Sequence, residues 1–175
     1  KMAKHNIKPD AFMSIDSEKN GLEYNDILIN TPLIMDVNVK TELIENNKSV
    51  KIISAKNAIL ISKICEKLKI LLYPAETGGS VSCSAFSVLK MWNIKKIVLI
   101  GHDFAYTGGM IHAEGIFENN NTKIEGEVRY VEDNDGNLIE TGFDYEVYLR
   151  WFENAIAKWT DGEVINATEG GARVK

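Results

Sequence analysis

Apolar positions along this chain alternate between two patterns. Short unbroken runs occur at residues 11–15 (AFMSI, ending before Asp16), 27–29 (ILI), 49–54 (SVKIIS), 96–100 (KIVLI) and 163–165 (EVI). The fourth is a β-branched run of the kind buried on both faces of a parallel sheet. Elsewhere, apolar side chains recur every three or four residues. Ile61, Ile64, Cys65, Leu68 and Leu72 form one such set, and Val81, Ala85, Val88, Leu89 and Trp92 a second. Tyr148, Phe152, Ala155, Ile156 and Trp159 form a third. That spacing puts each set on one face of a helix. Strands alternating with amphipathic helices predict βαβ crossovers and a Rossmann-like, mostly parallel α/β sheet flanked by helices.

The stretch 125–141 departs from this alternation. It places Val128 and Tyr130 on one face and centres on Asp133-Asn134-Asp135-Gly136-Asn137. With Gly136 able to take a positive φ, this is turn chemistry, and it predicts a β-hairpin inserted into the α/β frame. A calcium loop of the EF-hand type needs glycine at its sixth position, whereas Gly136 is the fourth residue of this cluster.

The 175 residues and a net charge of −5 predict one domain spanning 1–175 and disfavour a nucleic-acid partner. Cys65 and Cys83 form no C-x-x-C pair, which excludes a zinc ribbon and a disulfide scaffold and points to a reducing, cytoplasmic setting. The apolar runs are too short to span a bilayer, so no membrane partner is expected. The chain opens on Lys1 and reads as a fragment of a longer protein.

In open α/β sheets ligands bind beyond the carboxyl ends of the strands, and that rule selects four segments. Asp16 ends the first run, as a ligand contact or as a helix cap. Thr77-Gly78-Gly79-Ser80 stands directly before a patterned helix. Glycines admit a close backbone approach and a helix N-terminus favours anions, but Ser80 suits a plain N-cap equally well. The segment is neither G-K-[ST] nor G-x-G-x-x-G. After the 96–100 run come Gly101, His102, Asp103, Phe104 and Tyr106, followed by His112 and Glu114, a loop dense in titratable groups. His112 and Glu114 alternate onto one side of an extended chain, with Asp103 as the third group a metal would require; H-x-E is too sparse a pattern to predict a metal site. The fourth segment, residues 166–173, carries Gly170-Gly171 and Arg173, a bidentate anion contact or a terminal loop.

The run from Gly78 to Gly115, the DNDGN hairpin, YLRWFE and the terminal VINATEGGARVK resemble the motility accessory factor family. That family shares its core with 6-hydroxymethylpterin diphosphokinase-like proteins. The core is also similar to bacterial sialyltransferases that use CMP-activated sugars. The resemblance implies a cytoplasmic transferase that binds a CMP-linked nonulosonic sugar and passes it to Ser or Thr of flagellin. It assigns Thr77, Gly78, Gly79, Ser80, Gly101, Asp103 and Phe104 to the nucleotide and its phosphate, to which the strand-end position of Asp16 and the anion-binding chemistry of Arg173 add two further candidate contacts. Tyr106, one residue displaced from the family's position, would donate to the phosphate; the catalytic histidine of the sialyltransferases has no counterpart on its later segment here, and the chemistry of the residues themselves selects His112 with Glu114 to handle the proton. His102 stands where glutamine is common and is not expected to be essential. No resident cofactor or metal is implied; magnesium enters only in the alternative, an ATP-dependent diphosphokinase. A sugar-nucleotide-binding module without catalysis is the third reading. The family's upstream glycine-rich loop has no counterpart here, which predicts a folded but catalytically incomplete fragment and a homodimer as a further partner.

Overall fold

A computed structural model describes residues 5, 7–17, 29–54, 59–106 and 127–175. The chain divides into two compact units, Lys1–Thr77 with Ser84–Met91, and Gly78–Cys83 with Trp92–Lys175.

In the first unit, β1 (Phe12–Ser14), β2 (Leu33–Met35) and β3 (Lys51–Ile53) form a parallel sheet in that order. A single parallel bridge between Ile53 and Leu72 extends it. All three residues of the central strand β2 are buried, as expected of a parallel strand covered on both faces. Leu33 and Met35 pack with Val39 and with Leu43 of α1 (Thr41–Asn46), and Phe12, Ile44 and Ile53 close the cluster. Buried Asn47 ties the end of α1 to the start of β2 through Nδ2 donating to the Thr31 carbonyl at 2.9 Å.

The 11–15 and 49–54 runs thus become β1 and β3. Ile27 and Leu28 lie outside the described residues, and β2 falls instead on three residues after Pro32, too few to show a period. Helix α2 (Ile59–Lys67) covers the first helical set only in part. Lys69 takes a φ of 57°, and Leu68 N–H and Ile70 N–H close onto the Ile64 and Cys65 carbonyls. This left-handed closure ends the helix, so Leu68 falls outside it and Leu72 joins the sheet.

Helix α3 (Val81–Met91) begins in the second unit and ends in the first. In the second unit, β4 (Lys96–Leu99) pairs in parallel with β7 (Glu163–Asn166). Between them in sequence stand the hairpin β5 (Arg129–Glu132) and β6 (Leu138–Thr141), and α4 (Phe143–Ala157). The expected burial of β4 on both faces is corrected: Ile97 and Leu99 are buried, but Val98 is 48% exposed. A continuous apolar run does not reveal which of its faces is covered.

The hairpin forms where turn chemistry predicts it. Asp133 Oδ1 accepts N–H groups of Asp135 (2.9 Å) and Asn137 (2.8 Å), and Gly136 has a φ of 87°. The bonds from Asn137 lead in holding the Asp133 carboxyl below its ordinary range. The carboxylate therefore organises its own turn. The C-terminal segment adds to this hairpin through an antiparallel Asp133–Ala172 bridge and Arg173 N–H donating to the Glu132 carbonyl at 2.7 Å. Both cysteines are free and buried, and among the described residues no helix is long and apolar enough to cross a membrane.

Candidate functional site

The loop after β4 is held at nearly every residue. His102 N–H donates to Thr168 Oγ1 at 3.1 Å, and the Asp103 carbonyl accepts Ala172 N–H at 2.6 Å. The Phe104 carbonyl accepts the buried Thr141 hydroxyl at 2.7 Å, and Tyr106 N–H donates to the Glu140 carbonyl at 2.8 Å. The hairpin and the C-terminal segment therefore set the path of the loop from both sides. Phe104 takes a φ of 48°, rare for a bulky residue, and its ring packs 5.3 Å from that of Phe152. Gly101, with a φ of 69°, allows the chain to leave the strand.

Ser80 caps α3. Its hydroxyl oxygen accepts Cys83 N–H at 3.3 Å and its O–H faces Cys83 Sγ at 3.1 Å. Burial leads in pushing the Cys83 thiol above its ordinary range. The two glycines before it have a packing reason. A Cβ on Gly78 would lie 2.4 Å from the Trp151 ring, and one on Gly79 (φ 99°) 2.8 Å from Tyr148. The room their missing side chains leave is taken by α4.

Helix α4 also builds an aromatic row. Tyr106 lies 5.5 Å from Tyr145, and Tyr145 lies 6.4 Å from Tyr148, centroid to centroid. Gly142, which opens α4, makes room for the Tyr106 hydroxyl: a Cβ there would meet it at 2.1 Å. Burial is the largest cause raising both Tyr145 and Tyr148 above the usual phenol range, so they remain protonated donors at neutral pH. Sequence reasoning assigned Tyr148 only to a helix face and passed over Tyr145. Their i, i+3 spacing was the available signal, but nothing local joined them to Tyr106.

Among the other predicted residues, Asp103 lies in the pinned loop of the second unit, whereas Asp16, which follows β1, and Thr77 belong to the first. Arg173 lines a cleft of about 210 Å³ with Arg150, Lys175, Glu132 and Glu153. Tyr106 instead lines a separate cleft of about 290 Å³ with Asp133, Asp135 and Glu169. His112 and Glu114 lie outside the described residues.

His102 is a packed, half-buried residue. Its ring contacts Phe104 and Phe152, each with centroids 5.8 Å apart, and Nδ1 lies 3.2 Å from the Ile100 carbonyl. Burial lowers its pKa below the ordinary 6.5, outweighing the Ile100 bond and the Asp103 charge. The unfolded chain therefore takes up this proton first as pH falls. The contribution to stability is complete above pH 6.5 and is lost as pH drops toward the lower folded value. We expect the urea midpoint to fall between pH 7 and pH 5, and to fall less in His102→Phe. Equal slopes in the two proteins would refute this assignment.

Parallel strands flanked by helices, with a glycine turn opening a helix and a strand emptying into a pinned polar loop, define a Rossmann-like α/β protein. The family model described as 6-hydroxymethylpterin diphosphokinase MptE-like matches residues 1–109, and the chain belongs to that family. The match takes in β1 to β4, the glycine turn and the loop through Tyr106. No curated protein and no solved structure matches the chain.

Proposed function

We propose that the chain is a nucleotide-dependent transferase whose second unit binds the phosphate of a CMP-linked nonulosonic sugar, as in the motility accessory factors it resembles. The observation that carries this reading is the row of phenol rings at Tyr106, Tyr145 and Tyr148, reaching the Gly79 turn at the start of α3. Hydroxyl donors and a helix N-terminus stabilise an oxygen on which negative charge develops as a sugar–phosphate bond breaks. In this mechanism the C2–O bond to phosphate cleaves and CMP departs. A Ser or Thr hydroxyl of flagellin attacks C2, and His112, oriented by Glu114, takes its proton. Asp103 and Gly101 shape the loop beside the leaving phosphate.

The family's description favours a second reading, diphosphate transfer from ATP to a pterin alcohol. That chemistry uses magnesium bound to the phosphates of ATP. Among the described residues no three His, Cys, Asp or Glu side chains gather as a metal site.

Melting curves separate the two readings. A ligand at a hundredfold over its Kd adds about 2.7 kcal/mol, roughly 5–10 °C for a chain of this size. CMP and a CMP-linked nonulosonate are expected to give this shift in EDTA. Shifts with ATP–magnesium and 6-hydroxymethylpterin but not with CMP would establish the second reading instead; none with any ligand would refute both. In a flagellin transfer assay, His112→Ala is expected to reduce turnover by about 10²-fold or more. Unchanged turnover would remove His112 from the mechanism.

A further inference from the structure

The cleft of about 210 Å³ lined by Arg173 opens where the C-terminal segment changes partners. Arg173 N–H donates to the Glu132 carbonyl of β5 at 2.7 Å, and two residues later Lys175 N–H donates to Glu153 Oε1 of α4 at 3.3 Å. The segment thus leaves the strand for the helix. Buried Val131 and Leu149 and exposed Tyr130 and Leu138 form the apolar lining of the cleft. Leu138 stands opposite Glu132 in the antiparallel register, and Tyr130 lies two residues from Glu132 on the same face of the hairpin. The charged lining is unevenly matched. Glu132 meets Lys175 Nζ at 2.8 Å, and Glu153 meets Arg150 at 2.9 Å. Among the described residues the Arg173 guanidinium has no ion pair or hydrogen bond. The Lys175 bond leads in holding the Glu132 carboxyl below its ordinary range, and the Arg173 charge adds to it, so the guanidinium is within electrostatic reach of the cleft's acidic lining. Both carboxylates of the cleft therefore have cations already, and one guanidinium is left without an anion.

We propose that this cleft binds a small monocarboxylate with an apolar body, the carboxylate paired with Arg173 and the body set against Leu138 and Tyr130. The site is separate from the aromatic row and does not rest on the phosphate reading above. Each part of the ligand answers a feature of the lining. The planar guanidinium fork matches a carboxylate with two parallel hydrogen bonds. A single charge suits the one free cation, whereas a second negative charge would meet Glu132 and Glu153. A cationic ligand would be repelled by Arg173 and find both carboxylates occupied. The leucines, Val131 and the Tyr130 ring reward an apolar body that leaves water. The volume lies below the roughly 300–1,000 Å³ of sites for drug-sized ligands, which confines the body to one ring or a short branched chain.

The test separates charge from apolar body with four probes: benzoate, benzamide, acetate and inorganic phosphate. Backbone amide shifts of the parent chain, followed by NMR during each titration, report both affinity and place. Benzoate is expected to bind with a Kd on the order of 1 mM, the range open to so small a ligand, and to move the amides of Glu132, Leu138 and Arg173. Benzamide keeps the ring without the charge, and acetate keeps the charge without the ring. Each is expected to bind at least about tenfold more weakly, as is phosphate. Arg173→Gln is expected to weaken benzoate by about tenfold or more, and Leu138→Ser by about threefold. If either substitution disturbs the fold, the four probes on the parent decide alone. Benzoate binding no tighter than benzamide, or unchanged in folded Arg173→Gln, overturns the site. Phosphate or acetate equalling benzoate shows a general anion patch and overturns it too, as does a benzoate response confined to residues 101–106. The CMP melting shift reports the phosphate reading separately, so the two can fail independently.

Discussion

Replacing Phe152 with alanine is expected to lower the stability of the second unit by about 3–5 kcal/mol, the cost of emptying a fully buried aromatic site. Phe152 is 0% exposed and is the largest fully buried side chain among the described residues. Its ring meets Phe104 and Trp151, each at 5.3 Å, and His102 at 5.8 Å. These neighbours belong to the two segments that build the candidate site. Phe104 and His102 lie in the loop after β4, and Trp151 fills the space beside Gly78. The cavity would therefore loosen both segments together and weaken ligand binding along with the fold. Urea unfolding followed by tryptophan fluorescence measures the first effect. A loss below about 1 kcal/mol would mean that the ring packs less tightly than its contacts imply.

Gly171→Val is expected to be comparably disruptive, by about 3 kcal/mol or more, for a different reason. Gly171 has a φ of 80°, and a Cβ there would lie 2.2 Å from the Asp103 carbonyl oxygen and 2.4 Å from its Cα. Backbone atoms cannot swing aside as the end of a long side chain can. The Ala172–Asp103 hydrogen bond at 2.6 Å would break as the loop and the C-terminal segment separated. Gly101→Ala supplies the control. Its φ of 69° is also left-handed, but a Cβ there has nothing within 4 Å. It should cost only the conformational penalty of about 1–2 kcal/mol. Equal losses in the two variants would show that close approach at Gly171 contributes nothing.

Much of the frame was legible because its signals are local. The KIVLI and EVI runs become the parallel pair β4 and β7, Asp133 to Asn137 make the hairpin turn, and the repeat through Tyr148 and Phe152 forms α4. These depend on alternation, turn chemistry and helical spacing, which neighbouring residues specify among themselves. The motifs from Gly78 to Tyr106 also carried the family resemblance, and the MptE-like match covers them. β2 escaped because three residues show no period, and the length of α2 because its end depends on Lys69 entering the left-handed region.

The site itself was decided by tertiary structure. Gly78 and Gly79 read as room for a ligand, yet Trp151 and Tyr148 occupy that room. Ser80 was open between cap and contact, and its hydroxyl turns to Cys83. Tyr106 became part of a row only when α4 brought Tyr145 and Tyr148 beside it. Arg173 was separated from that row because the C-terminal segment runs along β5 into another cleft. Spacing determines which residues share one element's face. Which distant face fills the gap left by a missing Cβ is set by packing between elements, where shape and long-range contacts decide.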